Sequence, residues 1–207
     1  MRAAPEQTDE SLLRCARAGE ESAFAALYRR RQAGLYRFAL QMSGSESVAE
    51  DVTQEVFMSL LAASHGFDAG RGSLSSYLYG AARNQVLRRL EKEKPFVALA
   101  DETEEAHACG DQVSGARQDP LTELARSETV ETVRQAVLAL PLHYREVVVL
   151  CELQEMSYAE AACALGCAVG TVRSRLHRAR ALLIERLKSL DEGREPAGDF
   201  DAARCFA

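Results

Sequence analysis

Between residues 46 and 63, Val48, Val52, Val56 and Leu60 recur every four residues. At 3.6 residues per turn this spacing makes one apolar stripe on a helix and places Glu50, Asp51, Gln54 and Glu55 on another face. The same period predicts helices over residues 11–18 and 21–42. In the second, Phe24, Leu27, Tyr28, Leu35, Phe38 and Ala39 recur near helical spacing. Ser43-Gly44-Ser45 reads as a C-terminal glycine followed by an N-cap serine. GFDAGRGS, residues 66–73, is a glycine-punctuated loop. A fourth helix is predicted over residues 74–93. Leu78, Ala82, Val86 or Leu87, and Leu90 point inward, and Arg83, Asn84, Gln85, Arg88 and Arg89 point outward.

Pro95 closes that region, and the chain then loses its period until about Pro120. A second helical block begins near Leu121, breaks at Pro141 and resumes over residues 142–152, which include the run Val147-Val148-Val149-Leu150. Ser157 and Glu160 have the spacing of a capping box and start a helix over residues 158–165 that Gly166 ends. After a turn over residues 167–170, Thr171 is expected to cap the next helix. Helix, short glycine-containing turn, helix is the pattern of a helix-turn-helix. On a helical wheel, Val172, Leu176, Ala179 and Leu183 share a narrow apolar sector. Ser174, His177, Arg178 and Ala181 lie opposite, with Arg173 and Arg180 on one flank and Arg175 on the other. Such a helix suits a DNA major groove, its centre against base edges and its flanks against phosphates.

The expected fold is therefore all-α, with two small helical domains joined by a flexible acidic linker. The division is residues 1–94, a linker over 95–126, residues 127–190, and an acidic tail over 191–207. Charge supports it. The chain carries a formal net charge of -6, yet residues 1–90 and 127–190 each hold a net +1, while residues 91–126 hold -5 and the tail -3. The cationic helix thus belongs to a nearly neutral domain, and the acid lies in the strap and tail.

With 207 residues and 47% hydrophobic content, the chain can form packed cores. No apolar run reaches membrane-spanning length and the N-terminus lacks a signal-like core, so a cytoplasmic location without membrane contact is expected. The six cysteines, Cys15, Cys109, Cys151, Cys163, Cys167 and Cys205, form no CxxC pair and read as reduced thiols; a low-ranked alternative gives them a redox-sensing role. Their spacing, with His107 and His177 nearby in sequence, fits no common zinc pattern, so neither metal nor cofactor is expected. No phosphate-cradling loop or nucleophile motif points to an enzyme.

LPLHYREVVVLCELQEMSYAEAACALGCAVGTVRSRLHRARALLIERL, residues 140–187, resembles domain 4 of bacterial sigma factors. AFAALYRRRQAGLYRFALQMSGSESVAEDVTQEVFMSLL, residues 23–61, with FDAGRGSLSSYLYGAARNQVLRRL, residues 67–90, resembles their domain 2. Two matching blocks in this order, joined by a short linker, resemble the compact extracytoplasmic-function (ECF) group of the sigma-70 family. The resemblance implies a transcription initiation factor without catalytic chemistry that binds core RNA polymerase and promoter DNA and is often held by an anti-sigma factor. It implies that Asp51, Gln54 and Glu55 dock on a basic coiled coil of the polymerase. It implies that Tyr77, Arg83, Asn84 and Arg88 meet the start-proximal promoter element, with Arg89 a further phosphate-holding candidate and Tyr77 and Tyr79 candidates for stacking on unpaired bases or for the core. In domain 4 it implies Thr171, Arg173, Ser174, Arg175, His177 and Arg178 as contacts to the upstream element. The family often has tryptophan where Tyr77 stands, and a larger aliphatic residue where Ala161 stands, a gap that Cys163 is expected to fill in part.

Alone, such a chain should bind promoters poorly, because each domain offers few phosphate contacts and the acidic strap and tail oppose DNA; docking on polymerase would make binding bivalent. The rival readings are a sigma mimic that occupies an anti-sigma factor and a helix-turn-helix regulator. The first does not need four arginines on the recognition helix, and the second leaves EDVTQEVF unexplained.

Overall fold

The computed structural model describes residues 7–62, 67–70, 72–93 and 120–192, and the side chains of these apart from residues 93, 120–128 and 190–192. Residues 95–119 of the expected linker, residue 94 before it and the tail beyond residue 192 lie outside the described residues, as does part of the expected loop at 66–73. The helices are α1 Asp9–Arg17, α2 Glu21–Ser43, α3 Glu46–Ala62, α4 Leu74–Glu93, α5 Pro120–Leu138, α6 Leu142–Val148, a π-helical turn Val149–Leu153, α7 Tyr158–Leu165 and α8 Val169–Glu192. Among the described residues there is no strand.

α1 begins two residues earlier than its apolar pattern predicts, because Thr8 caps it by accepting a hydrogen bond from the Ser11 amide at 3.3 Å. Asp9 in its first turn is only 7% exposed, and a carboxylate so buried needs partners. Arg30 and Arg31 of α2 supply them; the Arg30 NH1 to Asp9 Oδ1 distance is 2.8 Å. This pair of arginines fastens α1 along α2. Gly44 ends α2 at φ 75, a left-handed conformation that costs a glycine little. α3 and α4 complete the first block by packing on α2 and on each other.

In the second block α6, α7 and α5 each pack on α8. The helix expected over residues 142–152 divides, and its second half widens into the π turn. Val147, Val148, Val149 and Leu150 are all nearly inaccessible, so this stretch is enclosed all round, not along one stripe. Beyond the turn, the Gln154 amide donates to the Val149 carbonyl and the Met156 amide to the Leu150 carbonyl, each at 3.0 Å.

The two blocks share a single cluster of buried apolar side chains. α7 lies along α4, while α5, α6 and the π turn reach α2. At the α4–α7 crossing a Cβ on Gly80 would stand 3.0 Å from the Ala164 carbonyl oxygen, so glycine permits the close approach. Arg145 ties the ends of two helices together: it donates to the carbonyls of Met42 at 2.7 Å, Leu140 at 3.2 Å and Leu138. These carbonyls lie at or just past the C-termini of α2 and α5, where intrahelical donors run out. Burial pulls the Arg145 pKa below its ordinary value, but a guanidinium remains charged at neutral pH.

Candidate nucleic-acid interface

The helix-turn-helix starts from a complete capping box. The Ser157 hydroxyl accepts from the Glu160 amide at 3.3 Å, and Glu160 Oε2 accepts from the Ser157 amide at 3.0 Å. Gly166 closes α7 in the left-handed region, φ 64. α8 then begins at Val169, two residues before the expected start. The Ala168 carbonyl accepts from the Thr171 and Val172 amides at 2.9 and 3.2 Å, so Thr171 lies within the first turn and is not its cap.

α8 presents the division that its sequence predicts. Val172, Leu176 and Ala179 are buried and Leu183 is half-buried. Arg173, Ser174, His177 and Arg178 are exposed, with Thr171 and Arg175 half-exposed at the margins. Arg173, Arg175 and Arg178 make no ion pair with another described side chain. Arg180 is different: its NH2 lies 2.5 Å from Glu152 Oε1, and this hydrogen bond pushes its pKa above the ordinary arginine value. The flank expected to hold phosphate with Arg173 and Arg180 therefore has one arginine already engaged.

On α4, Asn84 and Arg88 share one exposed face, one turn apart. Tyr77 is half-buried beside Phe67, their ring centroids 5.7 Å apart in an edge-on arrangement. Tyr79 belongs to the core: it is 8% exposed, packs edge-on against Phe38, and its hydroxyl donates to Gln154 Oε1 at 2.9 Å. Burial raises its pKa, with Arg31 and Arg37 partly opposing the rise. Arg83 turns away from Asn84 and Arg88 and pairs with Glu146 of α6. Of the residues expected at the start-proximal element, the structure thus brings Asn84 and Arg88 together, sets Tyr77 against the loop residue Phe67, and commits Arg83 to the contact between blocks.

Asp51, Gln54 and Glu55 are all exposed on α3. Two large apolar residues, Met58 (70% exposed) and Leu61, continue that side of the helix. Arg89 of α4 reaches both acids. An acidic patch with an apolar extension can receive a basic, partly apolar helix surface.

The sequence did not mark Glu146, Gln154 or the Arg89 pairing, because each partner lies far along the chain. Cys163 also departs from expectation. Ala161 is fully buried, but Cys163 is exposed and does not fill the space beside it. Its sulfur instead lies 2.7 Å from where a Cβ on Gly72 would stand. Among the described residues no disulfide forms and no three His, Cys, Asp or Glu side chains cluster as metal ligands. Burial raises the Cys151 thiol pKa, with Glu152 adding to the rise. No described helix is long and apolar enough to cross a membrane.

Comparison with known proteins places these surfaces in context. Residues 27–96 match the family Sigma-70 region 2, and residues 131–183 match Sigma-70, region 4. The chain is 32% identical over 174 residues to the ECF RNA polymerase sigma factor SigW of Bacillus subtilis, covering 83% of this chain and 92% of SigW. It is 34% identical over 192 residues to the ECF RNA polymerase sigma factor SigM of Mycobacterium tuberculosis, covering 91% and 89%. Its fold is similar to the sigma factor RpoE of Bartonella quintana, solved in complex with the anti-sigma factor NepR. There the TM-score is 0.60 at 26% identity, over 80% of this chain and 96% of that one. The acidic face on α3, the polar face on α4 and the cationic helix of a helix-turn-helix therefore belong to one protein: this chain is a member of the ECF group of sigma-70 family RNA polymerase sigma factors.

Proposed function

We propose that the chain directs core RNA polymerase to specific promoters, with three surfaces dividing the work and with no catalytic chemistry of its own. The α3 face, Asp51, Gln54 and Glu55, docks on a basic helical element of the polymerase. Asn84 and Arg88 of α4, together with Tyr77, meet the start-proximal promoter element. Thr171, Arg173, Ser174, Arg175, His177 and Arg178 of α8 read the upstream element. The domain division that goes with this assigns residues 1–94 to the first domain, 95–126 to the linker, 127–190 to the second domain and 191–207 to the tail.

The observation that carries the reading is the sorting of α8. Val172, Leu176 and Ala179 are buried, while Arg173, His177 and Arg178 are exposed and Arg175 half-exposed, none of them paired with an acid among the described residues. A solvated surface helix ordinarily intersperses acids; here the first acid after Gly170 is Glu185. An exposed serine and histidine lie among those arginines, the mixture of hydroxyl, imidazole and guanidinium groups that a groove-reading helix uses. An anti-sigma factor is the natural regulator, since the similar RpoE is solved with one. The place of action is the cytoplasm, where the polymerase and promoters are.

The test is run-off transcription from genomic promoter fragments with purified core polymerase, with and without the chain. Transcripts that start at defined sites only when the chain is added support the reading. No transcript from any fragment, together with tight binding to an anti-sigma factor, shows a mimic instead.

A further inference from the structure

Arg89 stands at the meeting point of two of these surfaces. It belongs to α4, the helix that carries Asn84 and Arg88, yet its guanidinium reaches across to α3. NH1 lies 3.2 Å from Asp51 Oδ2 and NH2 lies 2.5 Å from Glu55 Oε1, so the two amino groups each hold one carboxylate. The two acids stand one turn apart and are 64% and 48% exposed, whereas Arg89 is 21% exposed. The carboxylates thus face outward while a cation from the neighbouring helix holds them from behind.

We infer that Arg89 is a positioning residue exchanged between the two faces. In the unbound chain it holds Asp51 and Glu55. When basic side chains of the polymerase take those carboxylates, it is released toward the DNA backbone on the flank of Arg88. The inference rests on the assignment of the α3 face to polymerase and of α4 to promoter DNA. Two cations on one carboxylate repel each other, so an incoming lysine or arginine weakens the hold of Arg89. The two carboxylates are open to solvent, which weakens their bridges to Arg89 and makes exchange cheap and reversible. Arg83 offers no such exchange, since its partner Glu146 is almost completely buried. Arg89 also follows Arg88 directly on α4, about 100° around the helix, which places it to flank a phosphate track that Arg88 meets. Polymerase docking would then do two things at one site: satisfy the acids, and add a cation to the DNA-facing side.

The experiment uses the full chain, purified core polymerase and a promoter fragment carrying an unpaired start-proximal region. Core affinity and promoter affinity of the reconstituted complex are measured separately for wild type, Arg89→Ala and Arg89→Lys, with Asp51→Asn/Glu55→Gln as the reference for the α3 face. Arg89→Ala should bind core about two- to fivefold more tightly, because its competitor is gone. Its complex should bind the promoter more weakly, with a salt dependence shallower by about one unit of slope. Arg89→Lys should retain most of the promoter affinity, since it keeps the charge. Opposite changes in the two affinities are the signature; a residue that merely braces α3 against α4 would lower both together. Core affinity that is unchanged or weaker in Arg89→Ala overturns the exchange, while a large loss in Asp51→Asn/Glu55→Gln still upholds the α3 assignment. If that reference pair binds core like wild type, the α3 assignment falls and the exchange with it.

Discussion

Arg83 of α4 places its Nε 2.6 Å from Oε1 of Glu146 on α6, and Glu146 is only 2% exposed. A carboxylate buried in one helical block is therefore satisfied by a cation from the other. Three further contacts reinforce the closure: Tyr79 on Gln154, Arg145 on the Met42 carbonyl, and Gly80 against the Ala164 carbonyl. The Nε of Arg83 is thus committed to this contact between the blocks.

Removing the arginine leaves the carboxylate buried and alone. Arg83→Ala should weaken the packing of the two blocks by about 3–5 kcal/mol, a range typical of an orphaned buried charge. Glu146→Gln should cost less, because the amide still offers Arg83 an acceptor without a stranded charge. Urea unfolding of the full chain reads both. Arg83→Ala as stable as wild type would show that the pair does not hold the blocks together.

Tyr79→Phe removes one hydrogen bond across the same contact and should cost about 1 kcal/mol. It also changes the response to alkali. Burial raises the Tyr79 pKa above its ordinary 10.0, so the folded chain favours the protonated phenol. The resulting stability is fully present below the ordinary value and is lost as the pH rises through the raised one. Thermal melts from neutral pH to above pH 10.0 should show wild type losing stability at the alkaline end more steeply than Tyr79→Phe.

The two candidate caps of the helix-turn-helix make a matched pair. Ser157→Ala breaks the side-chain half of a complete capping box and should destabilise by about 0.5–2 kcal/mol. Thr171→Ala lies inside the first turn of α8 and should stay within about 0.5 kcal/mol of wild type. A Thr171→Ala loss as large as that of Ser157→Ala would restore Thr171 to the cap position.

These contrasts show what local pattern reveals and what it hides. The buried stripe of α8, Val172, Leu176 and Ala179, was legible because helical period sorts faces within a few residues. Ser157 and Glu160 were legible for the same reason: the cap and its partner are three residues apart. Asp51, Gln54 and Glu55 were visible as a polar face, and Asn84 and Arg88 as two of the outward positions of α4. The pairing of Arg83 with Glu146 spans 63 positions and that of Arg89 with Asp51 spans 38, so no short window contains both partners. The π turn was hidden because its consecutive apolar residues fit a buried helix of either pitch. Thr171 misled because threonine is a good cap, but the Ala168 carbonyl already accepts the first amides of α8, so the helix opens before Thr171 is reached. Cys163 misled because filling the space beside Ala161 and facing Gly72 are indistinguishable from sequence alone.

The division of labour between α3 and α8 is tested most directly by measuring core binding and promoter-dependent transcription in parallel for two variants. Arg178→Ala should bind core polymerase like wild type while losing promoter-dependent transcription, by the equivalent of about 1–3 kcal/mol of promoter affinity. Asp51→Ala/Gln54→Ala should lose core binding, and transcription only as a consequence, so that raising its concentration restores transcript. A fall in core binding with Arg178→Ala, or wild-type core binding by Asp51→Ala/Gln54→Ala, would contradict the assignment of these surfaces.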